Sequence, residues 1–120
     1  MLKFTIPIVP RTKKNSSRIV TGKNGRPFLI PSKAYKEYEQ QAGYFLRPQK
    51  IDYPVNVKCL YYMPTRRRVD LVNLLEATCD VLVKYEVLAD DNCKIVVSHD
   101  GSRVLYDKEK PRTEIEISRI

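Results

Sequence analysis

Apolar and polar residues alternate from Leu2 to Ile6 and the run stops at Pro7 and Pro10, which predicts a strand followed by an extended loop. Ile19 to Thr21 and Pro27 to Ile30 flank Asn24-Gly25, a dipeptide that takes up the positive φ angles of a tight turn, so a small β-hairpin is expected there. From Ser32 onward the period changes. Ala34, Tyr35, Tyr38, Ala42, Phe45 and Leu46 recur at helical spacing, with Lys36, Glu37, Glu39 and Gln40 between them, which predicts an amphipathic helix that stops before Pro48. Val55 to Met63 is dense in β-branched, aromatic and aliphatic side chains and is bounded by Pro54 and Pro64, the signature of a buried strand. A second helix is expected from Asp70 to about Tyr85, with Leu71, Leu75, Thr78, Cys79 and Leu82 on its apolar side and Asp70, Asn73, Glu76, Asp80 and Lys84 on the other. Three shorter strands complete the pattern: Ile95 to Val97, Val104 to Tyr106 after a turn at Asp100-Gly101, and Thr113 to Ile117.

This order, uninterrupted by repeats or low-complexity linkers, predicts a mixed α/β fold in which a small mixed β-sheet carries two main helices. At 120 residues the chain can bury one core and is too short for two of ordinary size, so one domain over residues 1–120 is expected. No apolar stretch approaches the roughly 18 residues needed to span a bilayer. Met1 to Pro7 has neither the apolar core nor the cleavage site of a secretory signal, so the expectation is a soluble, cytoplasmic protein with no membrane partner.

Charge narrows the partner class. The chain has 22 Lys and Arg against 14 Asp and Glu, a net charge of +8, and such a field attracts polyanions, nucleic acid first among them. No stretch combines a basic face with a strongly apolar one, which ranks an anionic membrane lower. The Gly-aromatic signature of one common RNA-binding module and the Gly-x-x-Gly loop of another are missing, which ranks RNA lower too. Cys59, Cys79 and Cys93 are odd in number and widely spaced, so they read as reduced thiols, two of them core residues. His99, the single histidine, has no Cys or Asp at a ligand spacing and reads as an exposed strand residue without a role. Tyr35, Tyr38, Tyr61 and Tyr62 fall at core positions, and the eight tyrosines read mainly as core and interface material.

The stretch that carries chemistry runs from Met63-Pro64 through Arg66-Arg67-Arg68 to Asp70-Leu71-Val72-Asn73-Leu74, and on to Leu88-Ala89-Asp90-Asp91. Hydrolysis of a phosphodiester requires stabilisation of negative charge on the attacking and leaving oxygens, which divalent ions held by carboxylates supply. Mg²⁺ prefers hard oxygen ligands and keeps several waters, so two or three convergent carboxylates are sufficient. Arginines beside them would hold the adjacent phosphates. One geometric difficulty is visible at once. A straight helix of about 15 residues runs roughly 22 Å, so Asp70 and Asp91 at its opposite ends converge only if a later loop doubles back or a second subunit contributes.

In order, Met-Pro, the arginine run, Asp-Leu-x-Asn-Leu, a helix and Leu-x-Asp-Asp resemble the RusA family of Holliday junction resolvases. More weakly, Pro10 to Asn15 resembles that family's Pro-rich segment ending in Asn, and Ser32 to Tyr35 the start of its first helix. The resemblance implies a homodimer that binds four-way DNA junctions by shape and cuts two opposed strands with Mg²⁺ and aspartates, with no small-molecule cofactor. Asp70 and Asp91 match the family's aspartates as catalytic and metal-binding residues, and Asp90 is a secondary candidate for the metal. A role in recombination and repair, and a prophage setting, are implied in the same way. Two positions depart from the family motif, which usually reads Asp-Leu-Asp-Asn with a lysine further along the helix: here they are Val72 and Glu76. Glu76, six residues past Asp70, could supply the missing carboxylate from another turn. The DNA-contacting candidates are Arg66, Arg67 and Arg68, then Lys13, Lys14, Asn15 and Asn73.

Each residue also has a simpler reading. Asp70 is a good N-cap for the helix it precedes, Asp90-Asp91-Asn92 a solvated turn, and the arginines a solvated basic loop. Two functional readings therefore stand: a magnesium-dependent junction endonuclease, and a junction-binding protein of the same fold in which Val72 and Glu76 impair cleavage.

Overall fold

The computed structural model describes residues 1–13, 17–22 and 25–120, with the backbone alone for 17–21 and 28–31. Lys14, Asn15 and Asn24, singled out above, lie outside the described residues. The elements in chain order are β1 (Leu2–Ile6), β2 (Ser17–Thr21), β3 (Pro27–Pro31), α1 (Lys33–Ala42), β4 (Val55–Met63), α2 (Leu71–Lys84), β5 (Val96–Ser98), β6 (Arg103–Tyr106) and β7 (Arg112–Arg119). β2 and β3 form the expected antiparallel hairpin, with Gly25 at a φ of 78°. The other strands make one five-stranded mixed sheet in the order β1-β7-β4-β5, with β6 also on β4. It is therefore the small mixed sheet with two helices that the pattern predicts.

β4 is the centre of the sheet. Its residues alternate strictly, with Val55, Val57, Cys59 and Tyr61 buried and Asn56, Lys58, Leu60 and Tyr62 half-exposed, as expected of a strand covered on one face. β7 runs antiparallel to it and contributes Thr113, Ile115 and Ile117 to the same buried side. Buried residues of α1 and α2, among them Tyr38, Ala42, Leu74, Val81 and Leu82, join this face in one cluster. Thr78 donates to the Leu74 carbonyl at 2.9 Å, so the Tyr61 hydroxyl must donate to Thr78 in their 2.6 Å bond, which ties α2 to β4 inside the core.

Two expectations need correction. The first helix ends at Ala42 rather than running through Phe45 and Leu46. Gly43 opens a 3-10 turn to Phe45, and a Cβ at Gly43 would overlap the Tyr85 ring, which closes in where the helix stops. On α2 the buried stripe is Leu74, Ala77, Thr78, Cys79, Val81 and Leu82, while Leu71 and Leu75 are only half-buried. The Thr78–Tyr61 bond and the burial of Val81 rotate the helix from the predicted orientation, and Val72 and Leu75 turn toward an open cleft. Asp70 is the N-cap, accepting from the Val72 N–H at 3.1 Å. Among the described residues, no helix is long and apolar enough to cross a membrane.

Candidate active site

The segment after α2 shapes the site. Glu86, with a φ of 61°, reverses the chain, and Val87 and Leu88 then bury themselves almost completely. The Ile51 N–H donates to the Val87 carbonyl at 3.1 Å and the Ala89 N–H to the Ile51 carbonyl at 2.8 Å, so the returning segment is held along residues 49–51. Next comes a turn built by two side chains. One Asp90 carboxylate oxygen accepts from the Asp91 N–H at 2.8 Å and the other from the Asn92 amide at 2.9 Å. The Asp91 N–H and the Asn92 amide hold the Asp90 carboxyl below the usual carboxylate range. Asn92 in turn accepts from the backbone N–H groups of Lys94, Ile95 and Val96. Asp91 is thus presented on a rigid turn, exposed, with no hydrogen bond or ion pair to its carboxylate among the described residues.

Asp91 faces the middle of α2. A cleft of about 400 Å³ is lined by Val72, Leu75, Glu76 and Cys79 from the helix, by Asp91, and by Val96 to His99. The doubling-back loop resolves half of the geometric difficulty. It places Asp91 on the same cleft as Glu76 and Val72, whereas Asp70 lies outside this cleft, in an open hollow with Arg68, Val69 and Leu71. Val72, with two-thirds of its surface exposed, is a large apolar side chain where the cleft receives solvent. No three His, Cys, Asp or Glu among the described residues stand close enough to hold an ion between them. Mg²⁺, however, is commonly held by one or two carboxylates together with substrate phosphates and waters, and the oxygen pair Glu76 and Asp91 fits that chemistry.

The far wall of the cleft exists because the edge partner of β4 is broken. β5 pairs in parallel with Val55 and Asn56, and β6 with Leu60 to Met63. Between them the chain loops out through Asp100 and Gly101, where Gly101 has a φ of 86° that an L side chain would strain. Side chains make the bonds the missing strand would have made. His99 Nδ1 bonds the Val57 carbonyl at 2.8 Å, and the Cys59 N–H donates to Ser102 Oγ at 2.9 Å. Asn56 accepts from Ser98 Oγ at 2.6 Å and from the Asp100 N–H at 2.7 Å. A carbonyl only accepts, so His99 Nδ1 carries a hydrogen, and Nε2 is turned toward Cys79 Sγ at 3.9 Å. His99 is therefore a half-buried residue just beyond β5 and part of the cleft wall, not the exposed strand residue expected of it. The missed signal is non-local: nothing in the spacing of His99 and Cys79 places them together. Cys59 and Cys79 are buried and Cys93 is exposed, all three free, as expected of two core thiols.

The basic loop lies at the C-terminal end of β4. Arg66, Arg67 and Arg68 are all exposed, and the Arg66 guanidinium stacks 4.2 Å from the centre of the Tyr106 ring. Arg67 and Arg68 line a second cleft of about 400 Å³ with Pro10, Arg11 and Thr12. Arg11 thus joins the basic surface, a residue that lies inside the Pro10 to Asn15 segment but was not singled out there. Lys13, by contrast, reaches Asp80 on α2 at 3.5 Å and docks the N-terminal loop on the helix. Asn73 is half-buried on the first turn of α2.

A cationic loop and a cleft that carries two carboxylates flank one helix of this mixed-sheet domain. A family model described as Endodeoxyribonuclease RusA matches residues 7–118. A relative named crossover junction endodeoxyribonuclease RusA, from Aquifex aeolicus (strain VF5), is 33% identical over 98 residues, covering 78% of this chain and 75% of its own length. The chain belongs to the RusA endodeoxyribonuclease family.

Proposed function

We propose that this protein is a cytoplasmic, magnesium-dependent endonuclease that resolves four-way DNA junctions by paired cuts, acting as a homodimer with one catalytic domain over residues 1–120 in each subunit. The observation that carries this reading is that Asp91 and Glu76 line one cleft of a chain that belongs to this family. The relative is named for junction cleavage, and the same substrate class suits a surface with a net charge of +8.

Asp91 and Glu76 would hold a divalent cation, with Asp70 joining from the helix N-terminus as DNA closes over the site and Asp90 shaping the turn that presents Asp91. Such a cation supplies charge stabilisation to the attacking and leaving oxygens of the phosphodiester. Glu76 replaces the aspartate that the family motif places at Val72, from one turn further along the same helix. Arg67 and Arg68, with Arg11 beside them, bind the phosphates flanking the scissile bond, and Lys13, Lys14, Asn15 and Asn73 extend that contact. A C₂ dimer presents two equivalent clefts to a junction of approximate twofold symmetry, which gives the paired cuts.

The test is cleavage of a labelled synthetic four-way junction with and without Mg²⁺, by the native chain and by Asp70→Asn and Glu76→Gln. Symmetric cuts that require the metal and are lost in both variants are expected. Near-normal cleavage by Glu76→Gln would remove Glu76 from the site. Tight binding with no product at any metal concentration would make the protein a junction binder instead.

A further inference from the structure

The three arginines of the basic loop are not equivalent. Arg67 and Arg68 make no ring contact among the described residues, whereas the Arg66 guanidinium lies 4.2 Å over the centre of the Tyr106 ring. Tyr106 is firmly placed. It pairs in register with Met63 at the end of β6, and the Asp107 N–H donates to the Met63 carbonyl at 2.9 Å, so the ring is carried by the sheet. With the guanidinium over it, Tyr106 still has 41% of its surface exposed. The pair borders a hollow of about 340 Å³ whose other residues are Thr65, Arg67, Val104 and Leu105.

Arg66 is stacked without being ion-paired to any described carboxylate. The carboxylate next in the chain to its ring is occupied. One Asp107 oxygen accepts from the N–H groups of Glu109 and Lys110, at 3.1 Å each, and the other from Arg112 at 2.9 Å. The stack of Arg112 on Tyr62 differs in this respect, because two carboxylates clasp that guanidinium. Phosphate binding needs only a positive charge, which Arg67 and Arg68 supply. A guanidinium held on an aromatic ring adds a flat surface ordered in advance, and such surfaces take nucleobases. Bases inside a duplex are covered on both faces by their neighbours, so only a base that has left its stack can use one.

We propose that Arg66 and Tyr106 form a stacking platform for one unpaired nucleobase of DNA, and that this platform distinguishes branched DNA from plain duplex. The proposal rests on the reading of the chain as a junction nuclease and adds a discriminating contact to it. A branch point offers such a base because unstacking costs least where pairing is already interrupted. The base extends the stack begun by Tyr106 and Arg66, Arg67 on the same hollow takes its phosphate, and Val104 and Leu105 supply the apolar wall.

The test reads binding without metal, so it does not depend on cleavage. Fluorescence anisotropy compares the full chain on a plain duplex and on the same duplex with one unpaired base. A preference of about tenfold for the bulged duplex is expected. Tyr106→Leu, which removes the ring, and Arg66→Lys, which keeps the charge and loses the plane, each bring the two affinities close together, and Tyr106→Phe restores the preference. Tyr53→Leu is the control: it removes the stack with Arg119 at the other end of β4 and leaves the preference intact. Salt-sensitive duplex binding with no preference in the native chain overturns the platform and leaves the nuclease reading standing. Equal losses on both DNAs in Arg66→Lys also overturn it, since they reduce Arg66 to a phosphate contact. Binding to neither DNA removes both readings. If Tyr106→Leu fails to fold, Arg66→Lys decides, at an exposed position of the loop.

Discussion

Charges on the outer face of the sheet differ in arrangement from those on the two loops that flank α2, although on α2 itself Asp80 and Lys84 are paired with Lys13 and Glu39. On the sheet they are paired across strands: Lys3, Glu116 and Lys58 lie side by side in register on β1, β7 and β4, with Glu116 3.7 and 3.6 Å from the two lysines. Arg112 is clasped by Asp107 and Glu114 at 2.9 and 2.8 Å and lies 3.7 Å over the Tyr62 ring. On the loops flanking the helix, the Asp91 carboxylate has no partner among the described residues, and Arg67 and Arg68 form no ion pair with any described carboxylate. Exposed pairs contribute little to stability, so the outer face is a solvated sheet surface whose charges neutralise each other. Asp91, Arg67 and Arg68 are left for a partner outside the chain.

The sharpest way to break this comparison is Asp91→Asn. Junction cleavage is expected to fall at least about 100-fold, since a ligand is lost outright, while the thermal midpoint stays within the small range of surface changes. Normal cleavage by this variant would place the chemistry elsewhere. Replacing Arg66, Arg67 and Arg68 together by Gln comes next. Fluorescence anisotropy at several salt concentrations should show the slope of log affinity against log salt reduced by up to about 2.7, roughly 0.9 for each lost phosphate contact. An unchanged slope would return the arginines to a solvated loop. Gly43→Ala addresses stability alone, because its Cβ must displace the Tyr85 ring. A loss of about 1–3 kcal/mol in denaturant unfolding is expected, with DNA affinity unchanged. The smallest effect belongs to Glu116→Gln on the outer face: less than about 1 kcal/mol in stability, and none on cleavage or DNA binding. A large functional effect there would erase the distinction between the two surfaces.

Much of the fold was legible in the sequence because it is locally encoded. The alternation of β4 and the hairpin around Gly25 follow from residue spacing, and the ends of α2, Leu71–Lys84, follow from Asp70 as cap and from the spacing of its apolar side chains. The stop of α1 at Ala42 was not legible, since it depends on the Tyr85 ring arriving from the far end of α2 at a glycine. The buried stripe of α2 was misplaced for a similar reason: Leu71 and Leu75 are as apolar as Leu74, and the bond from Tyr61 to Thr78 decides which of them faces the core.

By itself the sequence determined the elements, the basic loop, the carboxylates available for chemistry and the family, because each is written in residue types at short spacing. Only the tertiary structure decided how those residues meet. It separated Asp90, whose two oxygens close a turn, from Asp91, which is left free of partners among the described residues. It put Asp91 on one cleft with Glu76 instead of Asp70, and joined Cys79 to His99 across a gap in the sheet edge. The physical reason is that these juxtapositions depend on the burial of Val87 and Leu88 against Ile51 and on side chains of His99 and Ser102 standing in for a missing strand, contacts between segments that no local period records.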